Sequence, residues 1–374
     1  MKDNKSGLFE YPEVGVPFLW PFAFFLGLEK AEVEILKRDI KYLKEIKKTQ
    51  IERPAPTWTT KNRVILDLHT LNLRDFSTEN EGIYTLIDPP YAGHTSVIAD
   101  FSKGQSLIET LLDGGIRRLF ATEWKGATQE MKDYDIDIYL SDLNTCVDDL
   151  GGKVNLVGLC QGGWLCAMYA ARFPSKVGAL VIAGAPIDTS AGKGRIKEYA
   201  HTFSMEFYEE LVAMGGGVLR GEFMLDGFKS LHPEKQYVEK FAELYEHIDD
   251  PDYVMRFEKF ERWYEHAIDL PGKWYLQVIK ELFKENRFYK GKFVGLGKKL
   301  NLKDITCPVY LLAGDGDDIT PKAQVFNAAR RLGTDKSEII KDNAKGGHIG
   351  LFMGSRPLRE NWPKIARWIR EVTL

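Results

Sequence analysis

The 374-residue chain predicts an α/β fold: a mostly parallel central sheet flanked by helices, with a helical cap inserted before the last strands. Three observations carry that prediction. Short apolar, β-branched runs alternate with helical stretches between residues 61 and 183, the rhythm of strand–helix–strand units. One such run, from Val154, turns sharply through Gly158-Leu159-Cys160-Gln161-Gly162 into an Ala-rich helical segment ending at Pro174. Between about 190 and 300 the rhythm breaks into aromatic and charged sequence, and strand character returns at 308–313.

Taken in order, 14–28 (VGVPFLWPFAFFLGL) is the most apolar run. It has 15 residues, is interrupted by Pro17 and Pro21, and falls short of the roughly 20 residues of a membrane span. It is expected to pack over the core or a subunit interface, with an anchor on a hydrophobic particle as the alternative. A charged helix follows, with Val33, Leu36, Ile40 and Leu43 as a stripe at helical spacing. Arg53-Pro54-Ala55-Pro56 closes this extension, which is placed at 1–58.

The catalytic body is placed at 59–189 and 301–374, and the helical cap at 190–300. Val64, Leu66 and Leu68 alternate as in a strand, and 82–88 (GIYTLID) reads as another. It runs into Pro89-Pro90-Tyr91-Ala92-Gly93-His94, a loop rich in turn residues. A helix near 105–112, a strand near 118–122 and a helix near 136–150 lead to the turn at Cys160, and 177–183 is a further buried strand. In the cap, helices are expected near 206–214, 234–246 and 277–286. Beyond it come the strand 308–313, a helix at 322–332 and a short strand at 337–341. A final amphipathic helix from Arg359 has Trp362, Ile365, Trp368 and Ile369 on its apolar side.

Bulk composition is that of an ordinary globular chain: 44% hydrophobic, 28% charged, net charge −3. That balance gives no reason to expect a nucleic-acid partner. The four cysteines, Cys146, Cys160, Cys166 and Cys307, have neither metal-like spacing nor a dense framework, which suits a reduced compartment. MKDNKSGLFEYPEV lacks the basic-then-apolar order of a secretory signal, so a cytoplasmic protein is expected. No metal and no cofactor are expected, and a homodimer is compatible with the apolar extension.

The strand–turn–helix at Cys160 is the pattern of a nucleophile elbow, with cysteine where serine hydrolases carry serine. Such a cysteine needs a base, and the base needs a carboxylate to orient it. The order nucleophile, acid, histidine is met by Cys160, Asp317 in the turn after 308–313, and His348 in the glycine-flanked loop after 337–341. Asp315 and Asp318 compete with Asp317, the first as a turn former and the second as a solvent-facing residue. His69, His201, His232, His247 and His266 have no supporting context and read as surface or structural. Cys146 and Cys307 read as packing residues, and Cys166, six residues beyond Cys160 on the helix, is expected to point away from it. Acyl transfer also needs preplaced N–H donors for the oxyanion. The Gln161 amide is one, and Tyr91 or Ala92 supplies the other. His94 reads by default as a loop histidine with its bonds satisfied, and as a substrate contact in the alternative.

The segment LVGLCQGGWLCAMYAARFPSKVGALVIAGAPID resembles the lipase-like box of polyhydroxyalkanoate synthases, G-x-C-x-G-G, matched at Gly158, Cys160, Gly162 and Gly163. The likeness continues through RFEKFERWYEHAIDLPG, ELFKENRFYKGKFVGLGKKLNLKDITCPVYLLAGDGDDITP and KGGHIGLFMGS, covering most of residue 83 to the end. It implies an α/β-hydrolase fold and falls on the same triad, Cys160, Asp317 and His348. Two positions depart from the synthase pattern. Trp164 stands where a small residue is expected, which makes it a candidate substrate contact. The loop from Pro90 to His94 is more similar to that of intracellular polyhydroxyalkanoate depolymerases. The expectation is therefore a cysteine-dependent hydrolase cleaving 3-hydroxyalkanoate polyesters or oligomers, in the cytoplasm or at polymer granules. The alternatives are a synthase-like acyltransferase using 3-hydroxyacyl-coenzyme A, and a non-catalytic granule-binding protein anchored through 14–28.

Overall fold

A computed structural model describes residues 30–373, so the apolar run at 14–28 lies outside the described residues. Eight strands form one sheet: β1 Arg63–Asp67, β2 Leu71–Asp75, β3 Tyr84–Asp88, β4 Arg118–Trp124, β5 Val154–Leu159, β6 Val177–Ala183, β7 Val309–Gly314 and β8 Ile339–Ala344. Their spatial order is β1-β2-β4-β3-β5-β6-β7-β8. β2 runs antiparallel to both β1 and β4, and every other neighbouring pair is parallel. The sheet is thus the mostly parallel one expected of an α/β-hydrolase fold.

The sequence dictates this through its burial pattern. All six residues of β5 are buried, as a parallel strand covered on both faces requires. Successive side chains point to opposite faces. Leu86, Leu156, Leu180 and Leu311 join one core cluster, while their neighbours Ile87, Val157, Val181 and Leu312 join the other. The first face is covered by α3 Ile136–Asp149 and α4 Gln161–Arg172, and the second by α2 Leu107–Asp113 and the last helix, Trp362–Val372. In that last helix Trp362, Ile365, Trp368 and Ile369 are all buried, the stripe read from the sequence. Caps fix helix starts: Ser106 accepts from the Glu109 amide, and Asp135 from that of Ile138.

Three elements differ from expectation. β2 was not anticipated, because LNLRD offers only Leu71 and Leu73 to the core and mixes them with polar residues. It forms because the Leu68 amide closes a turn onto the Leu71 carbonyl at 2.8 Å and folds the chain back along β1. The strand expected at 337–341 lies at Ile339–Ala344, since Asp335 caps a tight turn at Lys336–Glu338 that delays it. The helix expected at 322–332 is regular only over Lys322–Phe326 and then tightens into a 3₁₀ turn.

Between β6 and β7 stand the helices α5 Arg195–Thr202, α6 Met205–Met214, α7 Gly221–Lys229, α8 Lys240–Glu246, α9 Pro251–Tyr264 and α10 Gly272–Gln277. The 14-residue α9 was missed, although Asp250 caps two amides and Pro251 sits at its first turn. Leu270, Trp274, Tyr275 and Leu282 join the core cluster above α4, so these helices pack onto the sheet. The helix α1 Lys30–Ile46 rests on them rather than on the sheet: Arg38 donates to the Tyr245 carbonyl at 3.0 Å, and Tyr42 meets the Tyr245 ring edge-on at 5.5 Å. Leu43, part of the expected stripe, remains 52% exposed.

Candidate active site

The turn between β5 and α4 places Cys160 at φ 51°, ψ −116°, a left-handed conformation that side chains other than glycine rarely adopt. Such strain costs on the order of 1–3 kcal/mol and persists only where the surroundings enforce it. The enforcement is steric. A Cβ on Gly158 would sit 2.4 Å from the Gly163 Cα, and one on Gly162 would sit 1.9 Å from the Asp88 carbonyl oxygen. A Cβ on Gly163 would come within 2.4 Å of the Ala185 Cβ. All three glycines of the box are therefore demanded by close backbone approach. The Cys160 amide donates to the Ala183 carbonyl at 2.8 Å, fixing the turn on β6.

Asp317 lies in the turn after β7. Its Oδ1 accepts from the Ile319 and Thr320 amides at 3.1 and 2.7 Å, and its Oδ2 lies 2.7 Å from His348 Nδ1. His348, in the loop after β8, is nearly buried, with Phe352 edge-on to its ring at 5.5 Å. Burial alone would lower its pKa. The charges of Asp317 and Cys160 outweigh that and hold the imidazole well above its ordinary value. Cys160, Asp317 and His348 are thus brought together from three separate sheet-edge loops.

The competing aspartates are engaged elsewhere. Asp315 pairs with Lys345 at 2.7 Å, which with Asn343 holds its carboxyl below the usual range. Asp318 faces the cap, 3.2 Å from Arg195 Nε and 2.9 Å from His232 Nε2.

Of the two loop amides offered as oxyanion donors, that of Tyr91 is already occupied: it donates to Gln161 Oε1 at 2.5 Å. The Tyr91 ring is fully buried between Tyr139, Trp274 and Trp124, with centroids 5.0, 5.3 and 5.9 Å away. The Ala92 amide has no acceptor among the described residues. His94 stacks on Trp263 at 4.9 Å and on Tyr264 at 5.3 Å, and its Nε2 donates to the Tyr264 carbonyl at 3.0 Å. Burial drives its pKa down to about 4, so it serves as a neutral bolt between loop and cap. Trp164 is 3% exposed and stacks on Trp274 at 6.1 Å, inside the core cluster.

Two participants escaped the sequence reading. Asp88, at the end of β3, is a fully buried carboxyl beside the elbow, accepting from Thr122 Oγ1 at 2.6 Å and Trp124 Nε1 at 3.0 Å. Burial pushes it up to about 7 despite those bonds. Cys166 Sγ lies 3.8 Å from its Oδ2, so this cysteine packs against a carboxyl group rather than in a purely apolar pocket. The signal was available: an acidic residue closing an apolar run directly before Pro89-Pro90. The second is Glu265, fully buried, which receives Lys229 at 2.7 Å, Lys240 at 3.3 Å and Arg53 at 3.5 Å, tying the extension to the cap. Among the described residues there is no cluster suited to a metal and no helix long and apolar enough to cross a membrane.

The chain and its fold have known counterparts. The poly(3-hydroxyalkanoate) polymerase subunit PhaC of Allochromatium vinosum is 29% identical over 77% of this chain and 79% of that protein. The same-named protein of Haloferax mediterranei is 26% identical, over 83% of this chain and 64% of its own length. The crystal structure of a monoacylglycerol lipase from Paleococcus ferrophilus superposes with a TM-score of 0.52 at 18% identity, covering 81% of this chain and 99% of the lipase, a likeness of fold alone. The chain belongs to the family described as "Protein of unknown function (DUF3141)", whose model matches residues 73–372.

Proposed function

We propose that the chain is an acyltransferase of the polyhydroxyalkanoate synthase type, working through an acyl-cysteine at Cys160. The observation that carries this is a cysteine, not a serine, in the strained elbow beside the His348–Asp317 pair. The polymerase name shared by the relatives supports synthesis over hydrolysis, the reverse of the preference drawn from the loop at 90–94.

His348 takes the Cys160 proton, and the thiolate attacks the carbonyl of a 3-hydroxyacyl thioester. The Gln161 and Ala92 amides meet the developing oxyanion. Collapse expels the coenzyme A thiol, which leaves with the proton from His348. A growing chain's hydroxyl then gives its proton to His348, attacks the acyl-cysteine and releases Cys160. Asp317 keeps the Nδ1 proton in place and stabilises the imidazolium. The body at 59–189 and 301–374 carries this chemistry, and the cap at 190–300 governs which acceptor reaches it.

Hydrolysis is the second reading, favoured by the depolymerase-like Pro90-Tyr91-Ala92-Gly93-His94 loop. Water would then replace the chain hydroxyl. A third reading makes the chain a non-catalytic coat on cytoplasmic polymer granules. Two assays run side by side decide. Release of free coenzyme A with polymer formation from 3-hydroxybutyryl-coenzyme A, lost in Cys160→Ala, is the expected result. Release of soluble hydroxyacid from amorphous polymer, without synthesis, overturns it in favour of hydrolysis. Neither turnover, with granule binding abolished by deleting 14–28, leaves the coat protein.

A further inference from the structure

The Gln161 side chain is bound into the site in a way that amide donation alone does not require. It is buried, and its Oε1 accepts the Tyr91 amide at 2.5 Å. Its Nε2 is buried with no partner among the described residues. For stability alone a stranded buried donor is a cost of about 1–3 kcal/mol. The bond that the carboxamide does make spans the two halves of the site. Gln161 is the residue whose amide follows the nucleophile, and Tyr91 directly precedes Ala92, whose amide has no acceptor. One hydrogen bond therefore sets the spacing between the two amides that face the reacting carbonyl.

The loop also has a second mooring. The Gly93 carbonyl accepts from the Ile268 amide at 2.9 Å, and His94 pairs with Ala267 in a lone antiparallel bridge. Ala92 thus hangs between an elbow tie at Tyr91 and a cap tie at Gly93. Without the elbow tie, the loop would follow the cap rather than the nucleophile.

We infer that the Gln161 carboxamide is a positioning group that locks the 91–94 loop to the elbow and so assembles the oxyanion site. The inference rests on the acyl-transfer reading. Gln161→Met keeps length and volume, retains the backbone amide and removes the Oε1 acceptor together with the unpartnered Nε2 donor. The expected result is a fall in kcat of about 10- to 100-fold with KM within about threefold, since a small misplacement of a catalytic donor acts mainly on the transition state. Alkylation of Cys160 by iodoacetamide needs the nucleophile but no oxyanion site, and is expected to stay within about twofold. Protection of Cys160 by butyraldehyde, which forms a tetrahedral thiohemiacetal there, is expected to weaken in parallel with kcat. Amide hydrogen exchange in the 89–94 peptide is expected to accelerate, with α4 unchanged.

An unchanged kcat, a change in KM alone, or alkylation falling together with kcat overturns the inference. So does unaltered exchange at 89–94. Failure of the underlying reading is distinguishable: the unsubstituted protein would then turn over neither ester nor thioester, while aldehyde protection and exchange still report on the Gln161–Tyr91 tie.

Discussion

Asp317 Oδ2 lies 2.7 Å from His348 Nδ1, while Asp318, the next residue, points to the cap and meets Arg195 and His232 at 3.2 and 2.9 Å. Two adjacent carboxylates thus serve two different elements. In the proposed mechanism Asp317 orients the base, while Asp318 clips the cap to the acid loop. The half-exposed Asp318 pair contributes at most about 1 kcal/mol. Asp317→Asn is expected to lower kcat by roughly 10³-fold, because the ring loses the partner that fixes its tautomer. Asp318→Asn is expected to change kcat by less than about threefold. Comparing the two under identical conditions checks the assignment, and a larger loss in Asp318→Asn reverses it.

The left-handed backbone at Cys160 predicts a trade between stability and activity. Glycine adopts φ 51° without the clash that a Cβ meets. Cys160→Ala and Cys160→Gly are both expected to abolish acyl transfer. The glycine variant is expected to be the more stable of the two by about 1 kcal/mol, the strain released exceeding the extra freedom of its unfolded chain. Urea unfolding of the two variants measures it, and an alanine variant at least as stable as the glycine one would show the turn to be relaxed.

His94 ties the loop to the cap as a neutral ring, and this carries a pH signature. Its folded-state pKa of about 4 lies below the unfolded value of about 6.5. The folded state therefore binds fewer protons, and stability is lost as pH falls from 6.5 toward 4, by roughly 3 kcal/mol in all. Glu265 opposes this shift and Lys229 reinforces it. His94→Gln keeps a donor for the Tyr264 carbonyl and removes the titration. Its unfolding midpoint is expected to fall less steeply than that of the parent between pH 6.5 and 4.5. Parallel slopes would place the acid sensitivity elsewhere.

What the sequence made legible follows from how local each signal is. The elbow, β5 and β6 were readable because buried parallel strands are continuous apolar runs and the glycines stand at fixed offsets around Cys160. Asp317 and His348 were proposed from chain order together with the turn after 308–313 and the glycine-flanked loop, and the two side chains lie 2.7 Å apart. β2 was not, since Leu71 and Leu73 are too few to make a pattern and its pairing depends on β1 and β4. The second oxyanion donor could not be chosen between Tyr91 and Ala92, because the choice turns on a side chain 70 residues away. His94 drew attention as a loop histidine and Trp164 as a departure from the synthase pattern, and both turn out to pack against cap aromatics. Cap helix α9 is a different failure: its Asp250-Pro251 start was on view, but its charged, aromatic face hid the helical period.

The cap's attachment predicts where the molecule yields first. Asp188, just beyond β6, is buried and accepts from Ser190 Oγ at 2.9 Å, Asn286 Nδ2 at 2.8 Å and Asn327 Nδ2 at 2.7 Å. Ser190 belongs to the chain entering the cap, Asn286 to the chain leaving it, and Asn327 to the 3₁₀ turn that follows the helix Lys322–Phe326. No cation neutralises the carboxylate among the described residues, so the three neutral donors carry its solvation. The Thr189 hydroxyl adds a bond to the Leu282 carbonyl at 2.5 Å, stitching entry to exit a second time. Asp188→Ala would leave the Asn286 and Asn327 amides short of an acceptor, at an expected cost of roughly 3 kcal/mol. The loss should be local, because the chain entering and the chain leaving 190–300 both bond to the residue, while neither Asp317 nor His348 does among the described residues. Limited proteolysis is therefore expected to cut within 190–300 well before the sheet, with Cys160 alkylation little changed. Uniform cleavage along the chain would instead make Asp188 a general support of the core.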